Sequence, residues 1–94
     1  MASFDTIIRN GTVVTAIDST QCDVAIRDGR IAALGSNLGS ATREIDASGK
    51  LVLPGGVDSH CHIEQPRPDG SWNADNFDSA TTSAAFGGTT CVIC

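Results

Sequence analysis

The chain has 94 residues, 40% of them hydrophobic and 18% charged, with a formal net charge of −5. That length suits a small domain with a modest core. No apolar run approaches the roughly 20 residues of a membrane-spanning helix, and no basic face is present to meet nucleic-acid phosphates, so neither a membrane nor a nucleic acid is an expected partner.

The N-terminus, Met1-Ala2-Ser3-Phe4-Asp5, lacks the basic start and apolar stretch of a secretory leader. A cytoplasmic protein with reduced thiols is therefore expected. Thr6–Arg9 and Thr12–Thr15 are rich in β-formers and flank Asn10-Gly11. That dipeptide predicts a hairpin turn, because both turn positions need positive φ. Cys22–Arg27 and Arg30–Leu34 flank Asp28-Gly29 and predict a second hairpin. Residues 35–40 form a polar, glycine-rich loop. Arg43–Asp46 reads as another short strand, and Ala47–Lys50 as a turn. The first half is therefore expected to be a small antiparallel sheet.

The pattern changes after Lys50. Leu51-Val52-Leu53 is apolar, Pro54-Gly55-Gly56 interrupts it, and residues 57–62 resume as an extended strand. A long loop with Pro66, Pro68 and Asp69-Gly70 follows. A helix is predicted over about 75–86, capped by Asn73 or Asp75, with Phe77, Ala80, Thr81 and Ala84 on one face. Asp75 and Asp78 suit its first turn, and Gly87-Gly88 ends it. Residues 89–94 read as a buried strand. Strand, loop, helix and strand make a βαβ unit with parallel strands. The fold class is α/β. Neither the sheet nor the βαβ unit is self-sufficient, so the chain is expected to be the N-terminal piece of a longer protein.

Both histidines of the chain lie in Val57-Asp58-Ser59-His60-Cys61-His62. On a strand, residues two apart share a face. His60 and His62 then project together and can ligate one metal ion, while Cys61 faces away. Neutral imidazoles suit zinc. Asp58, a further step along that face, can orient a histidine. An H-x-H pair can equally be two hydrogen-bonded polar groups. Its position at the carboxyl end of a strand in a βαβ unit favours a site. Residues 58–94 hold five acids and one base, against six acids and five bases over 1–57. Acidity thus gathers near the histidines, which suits either a cation site or a solvated surface. Cys91-Val92-Ile93-Cys94 spells C-x-x-C, but within a strand such positions face opposite ways, and a structural role is expected.

"LVLPGGVDSHCHIEQP" followed by "NADNFDSATTSAAFGGTT" resembles the opening of cyclic amidohydrolases, within the amidohydrolase superfamily. The upstream "IIRNGTVVTAIDSTQCDVAIRDGRIAALG" resembles the N-terminal β-segment of the same family. Among its members, the dihydropyrimidinases and D-hydantoinases are the most similar. The resemblance implies part of a small β-sandwich over 1–50 and the start of a TIM-type (β/α)8 barrel over 51–94. It implies that His60 and His62 are two ligands of a two-metal centre, usually zinc. A bridging carboxylated lysine, two further histidines and a proton-handling aspartate are implied outside this segment; Lys50 cannot be assigned the bridging role. The implied reaction opens a dihydropyrimidine or hydantoin ring to an N-carbamoyl amino acid. Ile63, Glu64 and Trp72 match a loop that meets the ring substituent. Dihydroorotases place an arginine where Glu64 stands, and an acid there disfavours an anionic ring. Allantoinase or dihydroorotase chemistry, a non-catalytic relative, and an inactive fragment are the alternatives. A homotetramer of the full-length protein is implied.

Overall fold

The computed structural model describes residues 2–94. The chain forms two compact units, one ending at Pro54 and one spanning Gly55–Cys94. The first contains β1 (Phe4–Val14), β2 (Ser19–Arg27), β3 (Arg30–Gly35), β4 (Ala41–Asp46) and β5 (Leu51–Val52). They build one sheet in the order β3-β2-β1-β4, with β5 also paired to β1.

Asp28-Gly29 makes the expected hairpin: Arg27 pairs with Arg30, and both turn residues have positive φ. Asn10-Gly11 does not turn the chain. β1 runs straight through it as a single strand. Asn10 does take positive φ, at 66°, but spends it on a β-bulge. Ile8 opposes Val24 and Gly11 opposes Cys22, so β1 carries one residue more than β2 between those pairs. The Asn10 N–H donates to Asp23 Oδ1 across the bulge at 2.9 Å.

The bulge changes which side chains share a face. Ile8 and Val13 are five apart and would point oppositely on a regular strand. With the extra residue, Ile8 opposes Val24 and Val13 opposes Thr20, two positions on one face of β2. Ile7 and Ala25 oppose each other on the second face and are fully buried. Val13, Val24 and Ala47 complete the small buried core.

The sheet is mixed rather than antiparallel, because β4 and β5 both pair with β1 in parallel. The connection over residues 36–40 returns the chain to the start of β1, where the Ser3 and Phe4 N–H groups donate to the Ser40 carbonyl. Leu51 and Val52, expected with the second half, instead join this sheet as β5. Gly11 makes room for them. A Cβ there would lie 2.5 Å from Val52 Cγ2 and 3.1 Å from Ala47 Cβ.

The second unit is the expected βαβ: β6 (Gly56–Asp58), α1 (Phe77–Phe86) and β7 (Thr89–Val92), with β6 and β7 parallel. The helix cap is Asn76, rather than Asn73 or Asp75. Asn76 Oδ1 accepts from the Ser79 N–H at 2.8 Å, and Ser79 Oγ accepts from the Asn76 N–H at 3.1 Å, a capping box. Asn73 and Asp75 are engaged elsewhere, with the His62 carbonyl and the Ser79 hydroxyl. Gly87-Gly88 ends the helix, its N–H groups donating to Ser83, Ala84 and Ala85 carbonyls. β7 was expected to be buried, but its Thr90 and Cys91 are exposed and its ends half-buried. β6 is shorter than expected, ending at Asp58 before either histidine.

Replacing Gly11 with alanine is expected to destabilise the first unit by about 1–3 kcal/mol, the usual cost of overpacking. Denaturant unfolding checks this through a lower midpoint at unchanged slope; an unchanged midpoint would mean β5 does not pack on β1 as described.

Candidate metal centre

The chain leaves β6 at Asp58 and bends through Ser59 and His60. Two bonds to the strand beside it fix the bend. The Ile93 N–H donates to the Asp58 carbonyl at 2.9 Å, and the Cys61 N–H donates to the Ile93 carbonyl at 3.1 Å. Asp58 Oδ1 accepts the His60 N–H at 3.1 Å. The Asp58 carboxylate thus bonds the backbone of the histidine segment.

His60 and His62 converge although neither is in a regular strand. Their Nε2 atoms lie 3.2 Å apart. The rings meet edge to face, with centroids 5.1 Å apart and planes at 69°. Both residues are exposed. Tetrahedral zinc with zinc–nitrogen bonds of about 2.0–2.1 Å places two ligand nitrogens roughly 3.3–3.4 Å apart, so the donor set and its spacing fit one ion. An imidazole N–H donating to the other ring gives a similar separation; cation binding distinguishes the two. Among the described residues, no group of three or more His, Cys, Asp or Glu side chains is placed to hold a metal. The pair supplies two ligands, not a complete centre.

Cys61 lies between the histidines and is half-buried. Its partial burial, then the neighbouring Cys94 thiol, raise its pKa above the ordinary thiol value. The C-x-x-C spacing does not bring Cys91 and Cys94 together; the contact of Cys94 is with Cys61, at 3.8 Å between sulfurs.

The loop after the histidines folds back on itself. The Glu64 N–H donates to the Asp75 carbonyl, the Asn73 N–H to the Gln65 carbonyl, and the Arg67 N–H to the Ser71 carbonyl. Pro66 and Trp72 face each other across this narrow hairpin. Glu64 adopts a left-handed φ of 51° and is exposed; Ile63 is half-buried, and Trp72 is 61% exposed. Glu64 and Trp72 line a shallow cleft of about 230 Å³ with Asn73–Asn76. The histidines and Ile63 are not part of that lining.

Asn73 is the residue that sequence reasoning missed. Its Nδ2 donates to the His62 carbonyl at 3.0 Å, joining the loop to the histidine segment. Its type suggested only a helix cap, and no local signal separates the two uses.

No protein-family model matches the chain. It is 48% identical over 89 residues to the D-hydantoinase of Rhizobium radiobacter, covering 95% of this chain and 19% of that protein. It is 45% identical over 91 residues to an allantoinase of Escherichia coli O1:K1 / APEC, covering 97% and 19%. A solved D-hydantoinase structure superposes with a TM-score of 0.89 at 47% identity, over 95% of this chain and 19% of that one. An N-acyl-D-glutamate deacylase from Bordetella bronchiseptica, solved with zinc and a phosphonate inhibitor, matches with a TM-score of 0.60 at 39% identity, over 65% and 14%. The chain thus spans about a fifth of the length of the curated relatives it matches. Over that span it is homologous to proteins named D-hydantoinase and dihydropyrimidinase.

The Asp69 carboxylate closes the loop tip by accepting from the Ser71 hydroxyl at 2.6 Å and the Ser71 N–H at 2.9 Å. These bonds, the hydroxyl first, lower its pKa below the ordinary carboxylate value. The folded pKa is depressed, so the closure is present above the unfolded value of about 4 and lost as pH falls through the lower folded value. Protection of the Ser71 amide, followed by NMR, is expected to persist at pH 5 and to disappear on acidification below about pH 4. Protection that is independent of pH would contradict the Asp69 closure.

Proposed function

We propose that the protein carrying this chain is a metal-dependent hydrolase that opens neutral cyclic amides and ureides. Its substrates are dihydropyrimidine or hydantoin rings, and its products N-carbamoyl amino acids. The observation that carries this reading is the 3.2 Å convergence of the His60 and His62 Nε2 atoms, in a segment nearly half identical to D-hydantoinases. In this reading residues 51–94 open a TIM-type (β/α)8 barrel and residues 1–50 contribute to a small β-sandwich. Such barrels need about 250 residues, so the remaining ligands and the proton-handling aspartate come from outside this segment. The same reading makes the protein a cytoplasmic homotetramer.

His60 and His62 would hold one ion of a two-zinc centre; zinc is supported by the zinc-bound deacylase relative. When bound, such a centre polarises the ring carbonyl and makes water nucleophilic at neutral pH. Asp58 holds the bend from which both imidazoles project. Asn73 ties that bend to the loop, on which Ile63, Glu64 and Trp72 would meet the ring substituent. Glu64 disfavours an anionic ring, since like charges repel and no cation of the described loop pairs with it. The second reading, an allantoinase, draws on the 45% identity to the Escherichia coli protein.

Turnover by the full-length protein of dihydrouracil, hydantoin, allantoin and dihydroorotate tests this. Hydrolysis of dihydrouracil or hydantoin is expected to be fastest. Faster dihydroorotate hydrolysis would overturn the neutral-ring reading, and faster allantoin hydrolysis would favour the alternative. Replacing His60 or His62 with alanine is expected to lower kcat/KM at least about 100-fold and to lower the zinc content measured by elemental analysis. Retention of both would remove the histidines from the centre. Glu64→Gln is expected to raise kcat/KM for dihydroorotate relative to dihydrouracil, and an unchanged ratio would remove Glu64 from substrate choice.

A further inference from the structure

Cys61 and Cys94 have no part in the reading above. The C-x-x-C spacing was expected to be structural, and the fold sets Cys94 beside Cys61, 33 positions away, with Sγ atoms 3.8 Å apart. The backbone imposes this proximity. The Ile93 N–H donates to the Asp58 carbonyl and the Cys61 N–H to the Ile93 carbonyl, so the two segments lie side by side where the cysteines occur. Closing the sulfurs from 3.8 Å to a bond of about 2.05 Å is a movement of less than about 2 Å. The hydrogen bonding of Cys61 Sγ does not hold it away: its other partner is the Ile93 carbonyl, at 3.6 Å.

We propose that Cys61 and Cys94 are an oxidisable dithiol, converted by peroxide to a disulfide that ties the histidine segment covalently to the strand beside it. With Cys94 as the first thiol to react, its thiolate sulfur attacks one peroxide oxygen, the O–O bond breaks, and the other oxygen leaves as water after protonation. The Cys61 thiol then attacks the sulfur of the resulting sulfenic acid. The S–O bond breaks, and its oxygen leaves as a second water with the thiol proton. Two thiols and one hydrogen peroxide give one disulfide and two waters; the sulfurs lose two electrons and the peroxide gains them.

The full-length protein, reduced and then treated with one equivalent of hydrogen peroxide, tests this by alkylation of the remaining thiols and peptide mass mapping. The expected product is a peptide pair joined through Cys61 and Cys94, lighter than the separate peptides by two hydrogen atoms, with Cys22 and Cys91 alkylated. Cys94→Ser is expected to abolish the link and Cys91→Ser to leave it intact. A Cys91–Cys94 link, or alkylatable Cys61 after Cys94 has been consumed, would overturn the proposal. Dithiothreitol is expected to restore four alkylatable thiols in this segment.

Discussion

Asp58 decides the geometry of the second unit. Its carbonyl accepts from Ile93 and continues the pairing with β7. Its carboxylate accepts from His60 two residues on and turns the chain out of that pairing. The imidazole nitrogens of the segment that follows lie 3.2 Å apart. A side chain that bonds its own backbone two residues on is a common turn device. Here the turn stands at the start of the histidine segment.

The first unit depends on a comparable device at Arg9, beside the bulge. Its guanidinium donates to Asp23 on β2, to Glu44 on β4, and to the Gly39 carbonyl in the crossing loop. Glu44 has the largest effect on the arginine, followed by partial desolvation that opposes it. Single ion pairs at a surface add little to stability. Three partners on three segments instead fix where the loop crosses, and so let β4 start alongside Phe4 and run parallel to β1. The planar fork of arginine suits this role better than a lysine ammonium.

Much of this was legible in the sequence, and the misses share one cause. Asp28-Gly29, the helix and its Gly87-Gly88 end, and the parallel pairing of β6 with β7 all follow from local chemistry or simple connectivity. Asn10-Gly11 was misread because positive φ at Asn10 serves a bulge as well as a turn; its N–H bonds Asp23, thirteen residues away. The direction of β4 was set by the path of a loop, and the Cys61–Cys94 contact by strand pairing across 33 residues. His60 and His62 were expected on the strand, and the strand ends at Asp58 before both of them. Asn73 could have been a cap, and only the folded loop shows it bound to the His62 carbonyl.

The hairpin between the histidines and the helix is built like an arm with a fixed shoulder. Its base is held by Asn73 on His62 and by Glu64 on Asp75. Its tip, Arg67–Ser71, is closed by bonds within itself, and the Arg67 Nε donates to Asn73 Oδ1 at 3.4 Å. Exposed tips of this kind accept insertions and changes of composition at little cost to what lies beneath. Length variation confined to residues 68–70 leaves the Asn73–His62 and Arg67–Asn73 bonds in place. A lineage can remodel the outer part of this loop while leaving the bend at Asp58 untouched, and the two parts are free to diverge at different rates.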